Sequence, residues 1–237
     1  RTKEDLHISF EGLLAHIPSD LHPHIISYLQ AKQTEDQYSL SCKYHSGEGV
    51  KKDDQKSFEL CQLAADQGYA PAQCALGNKY ALKYNSGRGV EQDNQQSWKF
   101  YQLAADQGYA EAQYELYCVY SYGQGVPKDQ SKALKYLELA AEQNDASALN
   151  ELAKLYWFGQ GGVKQDLKKS FECYSLLATQ EDARAQYKLA GMYESGRGVE
   201  QNFQKAFHYY KLAADQGYED AQLIVGSMYE DAREYVE

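Results

Sequence analysis

No stretch of this chain holds the ~20 consecutive apolar residues that a membrane-spanning helix needs. Mean hydropathy is −0.70, which reads as a soluble chain. The opening residues Arg1–Phe10 alternate charged and apolar types and contain no apolar signal core, as in a mature or otherwise soluble segment. Basic clusters are missing too. Lys and Arg total 24 against 34 Asp and Glu, a net charge of −10, and no run of cations suits a phosphate backbone. Nucleic acid and direct insertion into a membrane are therefore poor readings. Cysteine is sparse and irregular: Cys42, Cys61, Cys74, Cys118 and Cys173 are odd in number and form no C-x-x-C pair. That disfavours a zinc site or a disulfide framework and fits a reducing compartment such as the cytoplasm. Signatures of catalysis are absent as well, with no G-x-x-x-x-G-K-[ST], H-E-x-x-H or G-x-S-x-G anywhere in the 237 residues. The expectation is a protein that is not an enzyme and carries no cofactor or metal.

What is abundant is tyrosine, 22 residues, and repetition. The phrase LAADQGY occurs at Leu63–Tyr69, Leu103–Tyr109 and Leu212–Tyr218, and SGxGV at Ser46–Val50, Ser86–Val90 and Ser195–Val199. Aligned on these, Gln37, Gln73, Gln113, Leu149, Gln186 and Gln222 share one column, at spacings of 36, 40, 36, 37 and 36 residues. A fixed period of this size marks a repeat architecture. Seven residues beyond the column stands Tyr in every unit: Tyr44, Tyr80, Tyr120, Tyr156, Tyr193 and Tyr229. Three beyond it the residue is apolar (Leu40, Leu76, Leu116, Leu152, Leu189, Val225). Four beyond it the residue is mostly small (Ser41, Gly77, Ala153, Ala190, Gly226), Tyr117 excepted. Those offsets fall on one face of a helix, and small residues let a neighbour approach closely. Tyr117 should therefore push helices apart or point outward.

After this first helix comes a Gly-x-Gly-Val turn. Three residues on, Asp53, Asp93, Asp129, Asp166 and Asn202 stand where a second helix needs its N-cap. Phe58, Trp98, Leu134, Phe171 and Phe207 line the inner face of that helix. Cys61 and Cys173 occupy columns otherwise filled by large apolar residues and read as core fillers. Gly68, Gly108, Asn144 and Gly217 end it in a left-handed residue. Glu181 breaks that rule, so the fourth unit should close differently. Four extra residues, 81–84, add about one helical turn to the second unit and put Tyr84 in the Tyr role. One hairpin cannot bury its own apolar faces, but a stack of them can. The predicted fold is all-α, a right-handed α-solenoid of helix–turn–helix repeats over about 34–69, 70–109, 110–145, 146–182 and 183–218, with a half repeat at 219–237.

The consensus A-x-A-Q-x-x-L-G-x-x-Y-x-x-G-x-G-V-x-x-D-x-x-K-A-x-x-Y-Y-x-x-A-A-x-Q-G resembles the Sel-one-like repeat, a relative of the tetratricopeptide repeat, and 183–218 match it almost throughout. The resemblance implies an adaptor or scaffold that holds a protein or peptide. Its known settings include membrane-protein degradation, control of cell-wall synthesis and bacterial effectors that act in a eukaryotic host, there in the host cytosol. In such stacks the first helices line a concave groove. Positions one, five and eight after the Gln column form a second face of those helices. They supply the candidate partner-binding residues Tyr38, Asn78, Tyr114, Ser121, Asn150, Lys154, Trp157 and Tyr187, with Cys42, Cys74 and Cys118 on the same face. Tyr and Trp offer contact area at low entropic cost, while Asn and Lys can hold a peptide backbone or a carboxylate.

Residues 1–33 lie outside the repeats. Ile17, Pro18, Leu21, Ile25, Ile26 and Leu29 have amphipathic helical spacing, which suits a helix capping the first repeat. The same residues resemble the start of an F-box, which implies docking on the adaptor subunit of a ubiquitin ligase and makes a substrate receptor the alternative function. Pro23, between His22 and His24, suggests a turn, and these histidines with His16 make a weak metal set. Cys42 and His45, three residues apart on a helix, are close enough to meet.

Overall fold

The computed structural model describes residues 21–81 and 93–234, with side chains as far as 230. Eleven helices and no strand occur among the described residues. Within a first unit, 1–92, lie α1 (His22–Ser46), α2 (Asp54–Asp66) and α3 (Ala70–Ala81). Within a second, 93–237, lie α4 (Asn94–Asp106), α5 (Ala110–Tyr122), α6 (Gln130–Glu142), α7 (Ala146–Phe158), α8 (Leu167–Thr179), α9 (Ala183–Ser195), α10 (Phe203–Asp215) and α11 (Glu219–Glu234). The chain is thus an all-α series of consecutive helix–turn–helix repeats. The extra turn placed at 81–84, with Tyr84, lies outside the described residues.

Local chemistry sets the helix ends. Asp53, Asp93, Asp129, Asp166 and Asn202 adopt extended backbone and accept from amides of the first turn of α2, α4, α6, α8 and α10, at 2.9–3.0 Å. Asp145 and Asp182 do the same for α7 and α9. Pro23 does not make a turn. It sits in the first turn of α1, where its missing amide hydrogen would have no intrahelical partner. That helix then runs unbroken through residues 33 and 34 to Ser46.

The second helix of each repeat closes in one way throughout. The left-handed residue after the C-cap donates back three residues and its successor donates back five, as in Gly217 to Ala214 O (2.9 Å) and Tyr218 to Ala213 O (3.0 Å). Glu181 follows this pattern rather than departing from it. It takes φ of 62° and donates to Ala178 O, with Asp182 donating to Leu177 O at 3.4 Å, the longest bond of the five closures. A residue with a Cβ is strained there by about 1 kcal/mol. Glu181→Gly is therefore expected to stabilise the chain by about that much, a rise of roughly 2–4 °C in a thermal melt followed by circular dichroism.

Packing explains the columns. Leu76, Leu116 and Leu189 are no more than 1% exposed, and each such burial contributes about 1.5–3 kcal/mol. The small column of the first helix faces a second small column, four residues past each N-cap: Ser57, Ser97, Ala133, Ser170 and Ala206, all buried. Ser41 Oγ donates to Ser57 O (2.7 Å), and Ser170 Oγ donates to Ala153 O (2.9 Å), so the two backbones of a hairpin come within a single hydroxyl of each other. Tyr117, the exception, does not point outward. It is 6% exposed, lies against Tyr114 with ring centroids 5.9 Å apart, and donates its hydroxyl to Glu151 Oε1 (3.2 Å), which satisfies the one polar atom burial would penalise.

The tyrosine column joins successive repeats. Phe58 meets Tyr80, Phe171 meets Tyr193 and Phe207 meets Tyr229 edge-to-face at 5.3–6.1 Å, and Trp98 Nε1 donates to the Tyr120 hydroxyl (3.2 Å). Lys56, Lys132, Lys169 and Lys205, three past the N-cap, lie over Tyr44, Tyr120, Tyr156 and Tyr193 at 5.0–5.5 Å. The glutamine column is mostly buried and tied in by hydrogen bonds. Gln143 Nε2 donates to Gln113 Oε1 and Gln216 Nε2 to Gln186 Oε1, both 2.8 Å, while Gln73 Nε2 donates to Ala65 O of the preceding helix (3.1 Å). Where Leu149 replaces glutamine, Gln180 turns instead to Asn144 O (2.9 Å).

Candidate functional site

The first helices of the fourth and fifth repeats, α7 and α9, each present to one side the face that does not build the core. Asn150, Lys154 and Trp157 on α7 and Tyr187 on α9 come together there. They line a cleft of about 710 Å³, completed by Tyr174 of α8, Tyr210 of α10, Tyr218 and the cations Arg184, Lys188 and Arg197. Gly191, in the middle of α9, has no side chain to fill this space; a Cβ there would come 3.5 Å from the Tyr210 hydroxyl.

The walls are ordered by short contacts. Tyr187 stands 5.6 Å from Tyr210 and 5.0 Å from Tyr218, ring centroid to centroid. The Tyr210 hydroxyl donates to Glu194 Oε2 (2.8 Å); burial and that carboxylate push its pKa well up, so it stays protonated. Arg197 lies 5.9 Å from the centre of the Trp157 ring, and Gln165 Nε2 holds the Trp157 carbonyl at 2.8 Å. Lys154 pairs with Glu151 Oε2 at 3.2 Å. Among the described residues, no carboxylate lies within ion-pair distance of Arg184, Lys188 or Arg197.

A second cleft, about 610 Å³, lies in the first unit between α1 and α3 and includes Tyr38, Asn78, Cys42 and His45. Tyr38 packs on Tyr69 at 5.5 Å. His45 Nδ1 bonds Asp54 Oδ1 (3.1 Å), which engages the ring with a carboxylate. On α5, Tyr114 is half-buried, with its pKa raised by burial and next by Cys118, and Ser121 Oγ is shut off from solvent. Neither lines either cleft. Cys74, on the same predicted face, is buried. Burial raises the pKa of Cys61, Cys118 and Cys173 to about 11, which leaves them as protonated thiols at neutral pH.

At the start of α1, Leu21, Ile26 and Leu29 are exposed and Ile25 is half-buried; Ile17, Pro18 and His16 lie outside the described residues. No described helix is long and apolar enough to cross a membrane.

Sequence reasoning missed Arg184, Lys188, Arg197, Tyr174, Tyr210 and Tyr218 as cleft residues. Arg184 and Lys188 are one turn apart and flank Tyr187, a spacing that carries the signal. Arg197 and Tyr218 stand in loops, whose placement depends on the closed hairpin.

The family model described as Sel1 repeat matches residues 34–69, 70–109, 110–145, 146–182 and 183–218. A comparison with curated protein sequences gives no match. Among solved structures, a Sel1 repeat protein from Oxalobacter formigenes is 32% identical with a TM-score of 0.72, over 92% of this chain and 84% of that one. A protective antigen from uropathogenic Escherichia coli strains, displaying an SLR fold, is 29% identical (TM-score 0.58) over 86% of this chain and 51% of that one. Immunity protein Pa5087 from Pseudomonas aeruginosa is 25% identical (TM-score 0.53) over 80% and 68%. With five matched repeats covering more than half of its length, and this likeness in sequence and fold, the chain belongs to the Sel1 repeat family, whose members generally serve as protein–protein interaction scaffolds.

Proposed function

We propose that this chain is a scaffold that holds an extended segment of another protein in the cleft between α7 and α9, and that it acts by binding rather than by catalysis. The observation that carries this reading is the convergence of Asn150, Lys154, Trp157 and Tyr187 with Tyr210 and Tyr218 on a cleft of about 710 Å³. Aromatic walls with a few placed polar groups are what a peptide site needs. The protonated state of Cys61, Cys118 and Cys173 supports the absence of thiol chemistry. An odd number of cysteines with no C-x-x-C pair supports a reducing compartment. The likeness to a protective antigen of uropathogenic Escherichia coli supports a finer version, an effector that meets a eukaryotic host.

The test is affinity capture from bacterial and host-cell extracts with the native chain and with Trp157→Ala/Tyr187→Ala. A partner that depends on the cleft is lost, or weakened by tenfold or more, in the double variant; equal recovery with both proteins removes the cleft from the account. The exposed Leu21, Ile26 and Leu29 support a second reading, a ubiquitin-ligase receptor whose N-terminal segment docks on the ligase's adaptor subunit. Unchanged adaptor binding by Leu21→Ala/Ile26→Ala/Leu29→Ala would end it.

A further inference from the structure

The charge of the cleft is opposite to that of the chain. The protein carries −10 overall, yet Lys154, Arg184, Lys188 and Arg197 border one cleft, and no Asp or Glu is among the described residues that line it. Among the described residues, Lys154 alone of these four has an ion-pair partner, Glu151, on its own helix. Arg184, Lys188 and Arg197 stand exposed at the rim beside Tyr187 and Trp157, where they attract an incoming anion. The nearby Glu151 and Glu194 are engaged by Lys154 and the Tyr210 hydroxyl. Arg197 already lies against Trp157, and its planar fork suits a carboxylate more than a lysine would.

We propose, resting on the peptide-binding reading above, that the occupant of this cleft is an acidic peptide segment that carries an aromatic side chain next to its carboxylates. The ring stacks against Trp157 and Tyr187, and the carboxylates face Arg184, Lys188 and Arg197. A long polyanion is a poorer fit, because the net charge of −10 on the chain repels it beyond the cleft.

The test is a selection from a random dodecapeptide display library on the full chain, on Arg184→Glu/Lys188→Glu and on Trp157→Ala, each shown by circular dichroism to melt like the native protein. A 12-nucleotide single-stranded RNA is titrated alongside. Enrichment of acidic, aromatic-containing peptides on the native chain, lost on both variants and weakened at least tenfold between 50 and 500 mM salt, is the expected result. Enrichment of neutral or basic peptides that still need Trp157 overturns the acidic assignment and leaves the peptide-binding reading standing. Tighter binding of the RNA than of any peptide overturns the assignment as well. Peptides that bind equally to all three proteins overturn both.

Discussion

Gly198→Ala is expected to destabilise the chain by roughly 2–4 kcal/mol, where the same change at Gly49 costs only about 1 kcal/mol. Both are the second glycine of the Gly-x-Gly-Val turn, and both have positive φ, 77° and 70°. Backbone strain from an added Cβ is therefore common to the two. What differs is the neighbour. A Cβ on Gly198 would strike the carbonyl of Leu167, at the start of the preceding repeat's second helix, and one on Gly125 would strike the carbonyl of Asn94 in the same way. Gly49, in the first matched repeat, has no atom of the described residues within 4 Å of that position. The glycine thus does two things: it permits the turn, and it lets the turn of one repeat lie directly on the helix start of the repeat before it. Denaturant titrations of the two variants, followed by circular dichroism, measure the difference. Equal losses would mean that only the left-handed backbone matters and that the stacking contact is worth nothing.

Leu189→Ala is expected to cost roughly 2–5 kcal/mol, and Leu40→Ala less than half as much. The two leucines occupy the same column of the repeat. Leu189 is 1% exposed, with Ala178, Ala190, Tyr193, Ala206 and Tyr210 in its cluster, and Leu40 is 38% exposed. Deleting a fully buried leucine forfeits its transfer free energy and leaves a cavity, whereas a leucine that still touches water loses less of both. The same denaturant series reads this out. Comparable losses at the two positions would contradict the idea that burial comes from stacked neighbours rather than from the hairpin itself.

Much of the fold was legible because each repeat states its helix ends chemically. The acid or amide at 53, 93, 129, 166 and 202 could serve as an N-cap wherever it stood, and all five do. Periodicity alone marked Tyr44 through Tyr229 as one column, but it could not say that Tyr80, Tyr120, Tyr193 and Tyr229 meet the preceding repeat's Phe or Trp. The expectations that went wrong were exceptions read as breaks. Tyr117 found room inside because Glu151, thirty-four residues on, was placed to take its hydroxyl. Glu181 held the left-handed turn because the two hydrogen bonds of the closure outweigh its strain. The cleft was half legible. Helical spacing placed Asn150, Lys154 and Trp157 on one face, but it could not say that Arg197 would fold back over Trp157 or that Gly191 would leave the space open. Tyr114 and Ser121 share the columns and not the opening: the Tyr114 ring lies against Tyr117 and Ser121 Oγ is shut off from solvent.

The claim that a partner segment lies between α7 and α9 is tested most directly by photo-crosslinking. A benzoylphenylalanine replaces Phe158, which is 62% exposed and lines the cleft, or Leu176, which is 44% exposed on α8 and does not. The account predicts a crosslinked partner from position 158, competed by an acidic aromatic peptide, and none from position 176. A partner joined at 176 with nothing at 158 would contradict it.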